Sequence, residues 1–187
     1  MVRRARDGTT WRIGTDAEVA WIVNGTSPGR TITGAIPAAF EAYAIVLVAY
    51  GVERDVHDRA LLTLLREQSP GQRWWLGYLD TGADDIVFPD APKVTLYARW
   101  HYVLIEAGPD QAAAWRPDGG RAFGTGDLPN LMFPADHSWL VSTLWDDDWT
   151  CMGGPAGLVD RVLRHPDLQA RPVALGQDVT PPGHEAL

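Results

Sequence analysis

The segment SWLVSTLWDDDWTCMGGP, residues 138–155, decides how the rest of the chain is interpreted. Its first part, 138–145, has the apolar and β-branched character of a strand. The acid triplet Asp146-Asp147-Asp148 follows, and Pro155 is suited to the first turn of a helix. A strand, an acidic turn and a helix in quick succession indicate a mixed protein in which helices pack against a sheet.

Helical spacing of apolar residues predicts further helices outside this segment. The clearest has Leu61, Leu64 and Leu65 on one face and charged residues on the other. Capping residues, prolines at helix starts and a glycine after a helix end set the remaining boundaries. The predicted helices cover 16–23, 55–68, 109–115 and 155–164.

Short apolar runs between turn-forming Asp, Gly and Pro residues predict the strands. In one of them Val94 and Leu96 alternate with Thr95 and Tyr97, which is typical of a sheet with one wetter face. The predicted strands cover 44–50, 74–79, 85–88, 94–100, 102–107 and 138–145. Because helices and strands do not follow a regular βαβ rhythm, we predict a single α+β domain with a largely antiparallel sheet and helices packed on one face.

The domain itself is expected over 16–175, after a flexible lead-in at 1–15 and before an extended tail at 176–187. The loop at 117–130 is expected on the surface. The chain has one cysteine, so it forms no internal disulfide, and its N-terminal arginines precede no apolar signal segment. The longest apolar run, 43–50, is too short to span a bilayer, and we predict a cytoplasmic protein without membrane contact.

Charge indicates the kind of partner. The net charge of −8 argues against nucleic acid, which requires a basic surface. Residues 74–160 carry thirteen acids against four bases. An excess of this kind can steer a basic protein partner.

The acid triplet also predicts a metal site. If it continues the strand, Asp146 and Asp148 point to one face and could ligate Mg²⁺ or Ca²⁺. Asp80, Asp84 and Asp85 are the acids that could complete the ligand set. The alternative is a solvated charged turn between two tryptophans.

Three further patterns have a catalytic or anion-binding interpretation. Asp80 stands in an Asp-Thr-Gly triplet like the catalytic turn of aspartic proteases, although the same residues form a tight turn after a strand. Cys151 could act as a nucleophile with His101 or His137, although nearby aspartates raise the pKa of a thiol, and a buried structural cysteine is favoured. The glycines before Pro155 could present backbone amides to an anion at the helix start.

The nine tryptophans are expected mainly in the core, with four near the acids as candidates to line a pocket or to anchor a partner. The candidate binding residues are Trp74, Trp75, Asp80, Asp84, Asp85, Trp145, Asp146, Asp147, Asp148, Trp149 and Cys151.

Residues 74–85, 108–116 and 138–155 resemble a family of short proteins from high-GC actinobacteria, a family to which no activity is assigned. In size, acidity, tryptophan content and α+β make-up the chain is also similar to the SMI1/KNR4-type immunity proteins, although their early Asn-Gly-Gly motif is absent from it. This second resemblance implies an immunity-like binding role.

The sequence contains no complete nucleophile–base motif and no cofactor-binding motif, and we predict no cofactor. The predicted function is a non-enzymatic binding module that recognises a protein partner through an acidic, tryptophan-rich face. The alternative is a small metal-assisted hydrolase, or a small-ligand-binding protein, that uses Asp146 and Asp148 with Asp80 and Asp84.

Overall fold

The structure is a computed structural model, and it describes residues 2–4, 10–48, 53–82, 88–115, 128–144 and 147–181. Its helices are α1 (Asp16–Gly25), α2 (Arg54–Gln68), α3 (Pro109–Ala114) and α4 (Ala156–Arg164), with a 3₁₀ turn at Ile32–Gly34. Its strands are β1 (Val2–Arg4), β2 (Thr10–Ile13), β3 (Ala42–Leu47), β4 (Trp74–Leu79), β5 (Lys93–Leu96), β6 (Trp100–Ala107), β7 (Leu131–Pro134), β8 (Leu140–Ser142), β9 (Trp149–Gly154) and β10 (Ala170–Pro172).

The strands form one sheet in the order β1-β2-β6-β4-β7-β8-β9-β3-β10, and every pair in it is antiparallel. β5 lies outside this order. It pairs with the first half of β6, and β2 pairs with the second half of β6 on the same edge of that strand. The predicted α+β class with an antiparallel sheet is therefore confirmed.

Both faces of the sheet are covered. Alternate residues of β4 point to opposite faces, so Trp74 packs with the leucines of α2 while Trp75 packs with α1. The face that carries α2, α3 and α4 is called the α2 face, and the other the α1 face. The prediction of helices on one face holds for these three helices, whereas α1 and the 3₁₀ turn cover the opposite face.

The domain extends further at both ends than the sequence predicted. Trp11 and Ile13, expected in a flexible lead-in, are buried in β2 because this strand pairs with β6. Val179, expected in an extended tail, is buried on the α1 face, and Asp178 forms a β-bridge with Thr31. Apolar side chains at both termini thus contribute to the core.

Several predicted strands differ from the observed ones. The predicted strand 94–100 stops at Leu96 because the chain reverses over 97–99, where Tyr97 and Arg99 adopt left-handed φ values of 51° and 69°. Only three residues of 138–145 form a strand, and the glycines expected in a turn belong to β9. The predicted strand 85–88 lies outside the described residues except for Phe88, and so does the predicted loop 117–130 except for 128–130.

The antiparallel order gives the sheet two distinct ends. β3, β4 and β8 end, and β7 and β9 begin, at the same end, which is called the acidic end because Asp80, Asp147 and Asp148 lie in its loops. α2 finishes at the opposite end, where Ser69 contacts Trp139 just before β8. Among the described helices, none is both long and apolar enough to cross a membrane.

Candidate functional site

The two acidic stretches singled out in the sequence reach the same end of the sheet. Asp80 directly follows β4, and Asp147 and Asp148 directly precede β9. β7 and β8 separate these two strands, so the stretches are on the order of 14 Å apart at the usual strand spacing. They share an end of the fold without lying on neighbouring strands.

The tip of the β5–β6 hairpin, residues 97–99, lies beside the end of β8. The Tyr97 hydroxyl donates to the carbonyl of Ala35 at 3.1 Å and shares a hydrogen bond of 2.8 Å with the hydroxyl of Ser142, the last residue of β8. Burial raises the pKa of Tyr97 far above its usual range, so the phenol keeps its proton. Trp100, partly buried at the start of β6, packs 6.4 Å from the Tyr97 ring, measured between centroids.

Asp80 holds a local structure together. Its carboxylate accepts hydrogen bonds from the Lys93 ammonium and, at 3.1 Å, from the backbone N–H of Gly82. The Lys93 hydrogen bond is the main cause that lowers the pKa of Asp80. A carboxylate kept ionised in this way does not suit a general acid, and the tight-turn interpretation accounts for its position.

The predicted tryptophan face requires correction. Trp74, Trp75 and Trp149 are 0%, 3% and 2% exposed, because each points into one of the two cores of a sheet that is covered on both faces. These three rings therefore contribute packing and do not line a surface site. Trp145 lies outside the described residues.

Cys151 is a core residue of β9 with 1% of its surface exposed. Burial, with a smaller contribution from the charge of Asp147, raises the pKa of its thiol far above the usual range. Within the described part of the chain no hydrogen bond joins Cys151 to His101 or His137. A buried thiol that keeps its proton lacks the properties of a nucleophile.

The start of α4 is occupied by a side chain of the protein itself. The backbone N–H of Ala156 donates to the Glu41 carboxylate at 3.0 Å. A β-carbon added to Gly153 would lie 2.5 Å from Cδ2 of Phe40, so this glycine permits close packing. The predicted anion site at this helix start is therefore already filled.

Some of the residues in the metal prediction lie outside the described part of the chain. Asp84, Asp85 and Asp146 are not among the described residues. Within the described ranges, no group of three or more His, Cys, Asp or Glu side chains is placed to hold a metal ion. The pair of Asp146 and Asp148 remains a prediction.

The sequence analysis did not predict a network of polar and charged side chains at the start of α2. His57 is buried, and its Nδ1 lies 2.9 Å from the Asp58 carboxylate. Arg54 Nε donates to the same carboxylate at 3.2 Å. Only the helical spacing of His57 with Leu61 signals this inward orientation.

Comparison of the chain with protein-family models, with curated proteins and with solved structures finds no match in any of the three.

Proposed function

We propose that the protein is a non-enzymatic binding module whose acidic end recognises a basic protein partner. The observation that carries this proposal is the antiparallel strand order, which gathers the acidic segments after β4 and before β9 at one end. The resemblance to immunity proteins in size, acidity and tryptophan content agrees with a binding role of this kind.

Two carboxylates at the opposite end of the sheet are paired with arginines. There Glu106 accepts a hydrogen bond from Arg12 at 2.9 Å and lies 4.0 Å from the Arg73 side chain. Asp110, at the start of α3, pairs with Arg66 at 2.5 Å. Arginines thus accompany Glu106 and Asp110 and offset the charge that these two carboxylates present to a basic partner.

The acids and the aromatic side chain have different roles in this proposal. Partly exposed carboxylates accelerate encounter with a basic partner, and salt screens that acceleration. Trp100, beside the hairpin tip, supplies the aromatic anchor whose contact area slows dissociation. It takes the role that the sequence assigned to Trp145 or Trp149, of which Trp149 is buried and Trp145 lies outside the described residues.

The test begins with a pull-down from native lysate on immobilised full-length protein, followed by association kinetics with the captured protein at two ionic strengths. Replacing Asp146, Asp147 and Asp148 with asparagine should slow association several-fold and flatten its dependence on salt. Trp100→Ala should mainly accelerate dissociation.

Two variants, each with a single charge change, test whether the acidic end is the surface that binds the partner. Arg99→Gln removes an exposed base from the hairpin tip and should accelerate association, whereas Asp110→Asn, at the opposite end, should leave the rate unchanged. Failure to retain any specific protein, or an association rate that ignores both salt and the triplet, would refute the proposal.

A further inference from the structure

Four described residues other than glycine have a left-handed backbone. Their φ values are 56° at Phe88, 51° at Tyr97, 69° at Arg99 and 57° at His137. This conformation is unfavourable for residues with a β-carbon, whereas glycine adopts it freely. Such a residue persists where contacts of its side chain offset the cost.

Aromatic packing provides those contacts at three of the four positions. The Phe88 ring lies 5.5 Å from the Trp115 ring, and the His137 ring is stacked 4.5 Å from the Trp21 ring, both measured between centroids. The third residue is Tyr97, whose ring packs 6.1 Å from that of another tyrosine and whose hydroxyl is hydrogen-bonded at the end of β8. At these positions the packing of the side chain accounts for the conformation of the backbone.

Arg99 is the exception among the four. Its side chain is exposed, and within the described part of the chain it forms no hydrogen bond, ion pair or ring contact. It is the third residue of the three-residue turn between β5 and β6, a position at which such turns favour glycine. No polar or ring contact inside the described protein therefore offsets the cost of an arginine at this position.

The turn itself is held firmly at the acidic end. The Tyr97 hydroxyl donates to the Ala35 carbonyl at 3.1 Å and shares a hydrogen bond of 2.8 Å with the Ser142 hydroxyl. These two bonds join the turn to the segment after the 3₁₀ turn and to the end of β8. The backbone of Arg99 is thereby fixed beside the acidic loops, with an unpaired guanidinium exposed.

We propose that Arg99 is a specificity-determining residue of the acidic end and pairs with a carboxylate of the partner protein, an inference that rests on the proposed function. Lys93, at the start of β5, is already paired with Asp80. A guanidinium offers two parallel N–H donors, the arrangement that recognises a carboxylate. The acids attract basic partners in general, whereas Arg99 repels a partner with a base opposite it and selects one with an aspartate or glutamate there.

The first test concerns the backbone at position 99 and requires only this protein. Arg99→Gly should raise the thermal midpoint by about 1–4 °C, because glycine adopts the left-handed conformation freely. Ala98 lies in the same turn without a left-handed φ, so Ala98→Gly is the matched control and should lower the midpoint. An Arg99→Gly protein less stable than the wild type would overturn the inference, because it would show that the arginine is stabilised within the chain.

The second test measures dissociation of the partner protein captured from lysate. Arg99→Gln should accelerate dissociation at least tenfold, in addition to the faster association that follows from the loss of a positive charge. Arg99→Lys keeps the charge without the two parallel donors, so it should retain the wild-type association rate and dissociate at least threefold faster. Arg66→Gln, which removes an exposed arginine at the opposite end, is the matched control and should leave dissociation unchanged.

The two rate constants separate this inference from the proposed function. Association that depends on salt and on the aspartates, together with dissociation that is the same with and without Arg99, would overturn the inference and leave the proposed function intact. Failure to capture any specific partner would overturn both.

A charge exchange then identifies the carboxylate of the partner. Arg99→Glu should weaken binding at least tenfold. When the aspartates and glutamates of the partner are changed to lysine one at a time, one change should restore at least tenfold of the affinity for the Arg99→Glu protein and weaken binding to the wild type. If no change has this paired effect, Arg99 contacts no carboxylate and the inference is wrong.

Discussion

The indole Nε1–H of Trp139 donates a 2.7 Å hydrogen bond to the hydroxyl of Ser69, and both groups are buried. This bond ties the end of α2 to the residue before β8. The contact lies at the end of the sheet opposite the acidic end. Trp139 also packs edge-on against Trp74, with ring centroids 4.9 Å apart.

Ser69→Ala should lower the free energy of unfolding by about 1–3 kcal/mol, because it leaves a buried indole N–H without an acceptor. Urea denaturation of both proteins measures the difference. In a Trp139→Phe background, which has no N–H to satisfy, the same change should cost far less. An equal cost in both backgrounds would show that the hydrogen bond contributes nothing.

Leu64→Ala should destabilise the protein by about 2–5 kcal/mol, because Leu64 is buried against the α2 face of the sheet and its removal leaves a cavity. The neighbouring Thr63 is exposed, so Thr63→Ala is the matched control and should change stability by less than about 0.5 kcal/mol. Thermal or urea unfolding distinguishes the two. A Leu64→Ala midpoint indistinguishable from the wild type would mean that α2 does not pack as described.

Two glycine-to-alanine changes should have opposite effects on the free energy of unfolding. Gly153→Ala should destabilise by about 1–3 kcal/mol, since its β-carbon would lie 2.5 Å from Cδ2 of Phe40 and 2.6 Å from Cγ2 of Ile36. Gly157→Ala, within α4 and with no atom near the added carbon, should stabilise by about 0.5–1 kcal/mol. Differential scanning calorimetry tests both, and destabilisation by Gly157→Ala would contradict the open space around this helix position.

The ion pair of Asp80 and Lys93 should contribute to the pH dependence of stability. Because the folded state lowers the pKa of Asp80, the pair stabilises the fold at pH values above the pKa of the unfolded chain. That stabilisation is lost as the pH falls through the folded-state value. Its size should stay below about 1 kcal/mol, since the pair is partly exposed.

Urea midpoints at neutral and acidic pH provide the measurement for this pair. Lys93→Met should reduce the loss of stability on acidification, and Asp80→Asn added to Lys93→Met should reduce it little further. A Lys93→Met protein that loses as much stability as the wild type would show that another carboxylate is responsible.

Local sequence patterns account well for the elements that depend on neighbouring residues. The predicted helices 55–68 and 155–164 each differ from α2 and α4 by a single residue, and the predicted strand 74–79 coincides with β4. Apolar spacing, prolines and glycines act within a few residues, so they can be recognised without knowledge of the fold. The α+β class follows from the same local information.

Strand pairing decided the features that the sequence did not reveal. Trp75 and Trp149 are buried because α1 and its neighbouring turn cover the second face, and no local pattern predicts that cover. The bond between Tyr97 and Ser142, 45 residues apart, depends on the order of the strands.

By itself the sequence therefore determined the fold class, the main helices and the acidic character of the segments 74–160. The tertiary structure alone decided which aromatic rings are buried, and that Arg99 has a left-handed backbone in the turn between β5 and β6. The physical reason is that local conformation follows from nearby residues, whereas burial and site geometry follow from pairings between residues far apart in the chain.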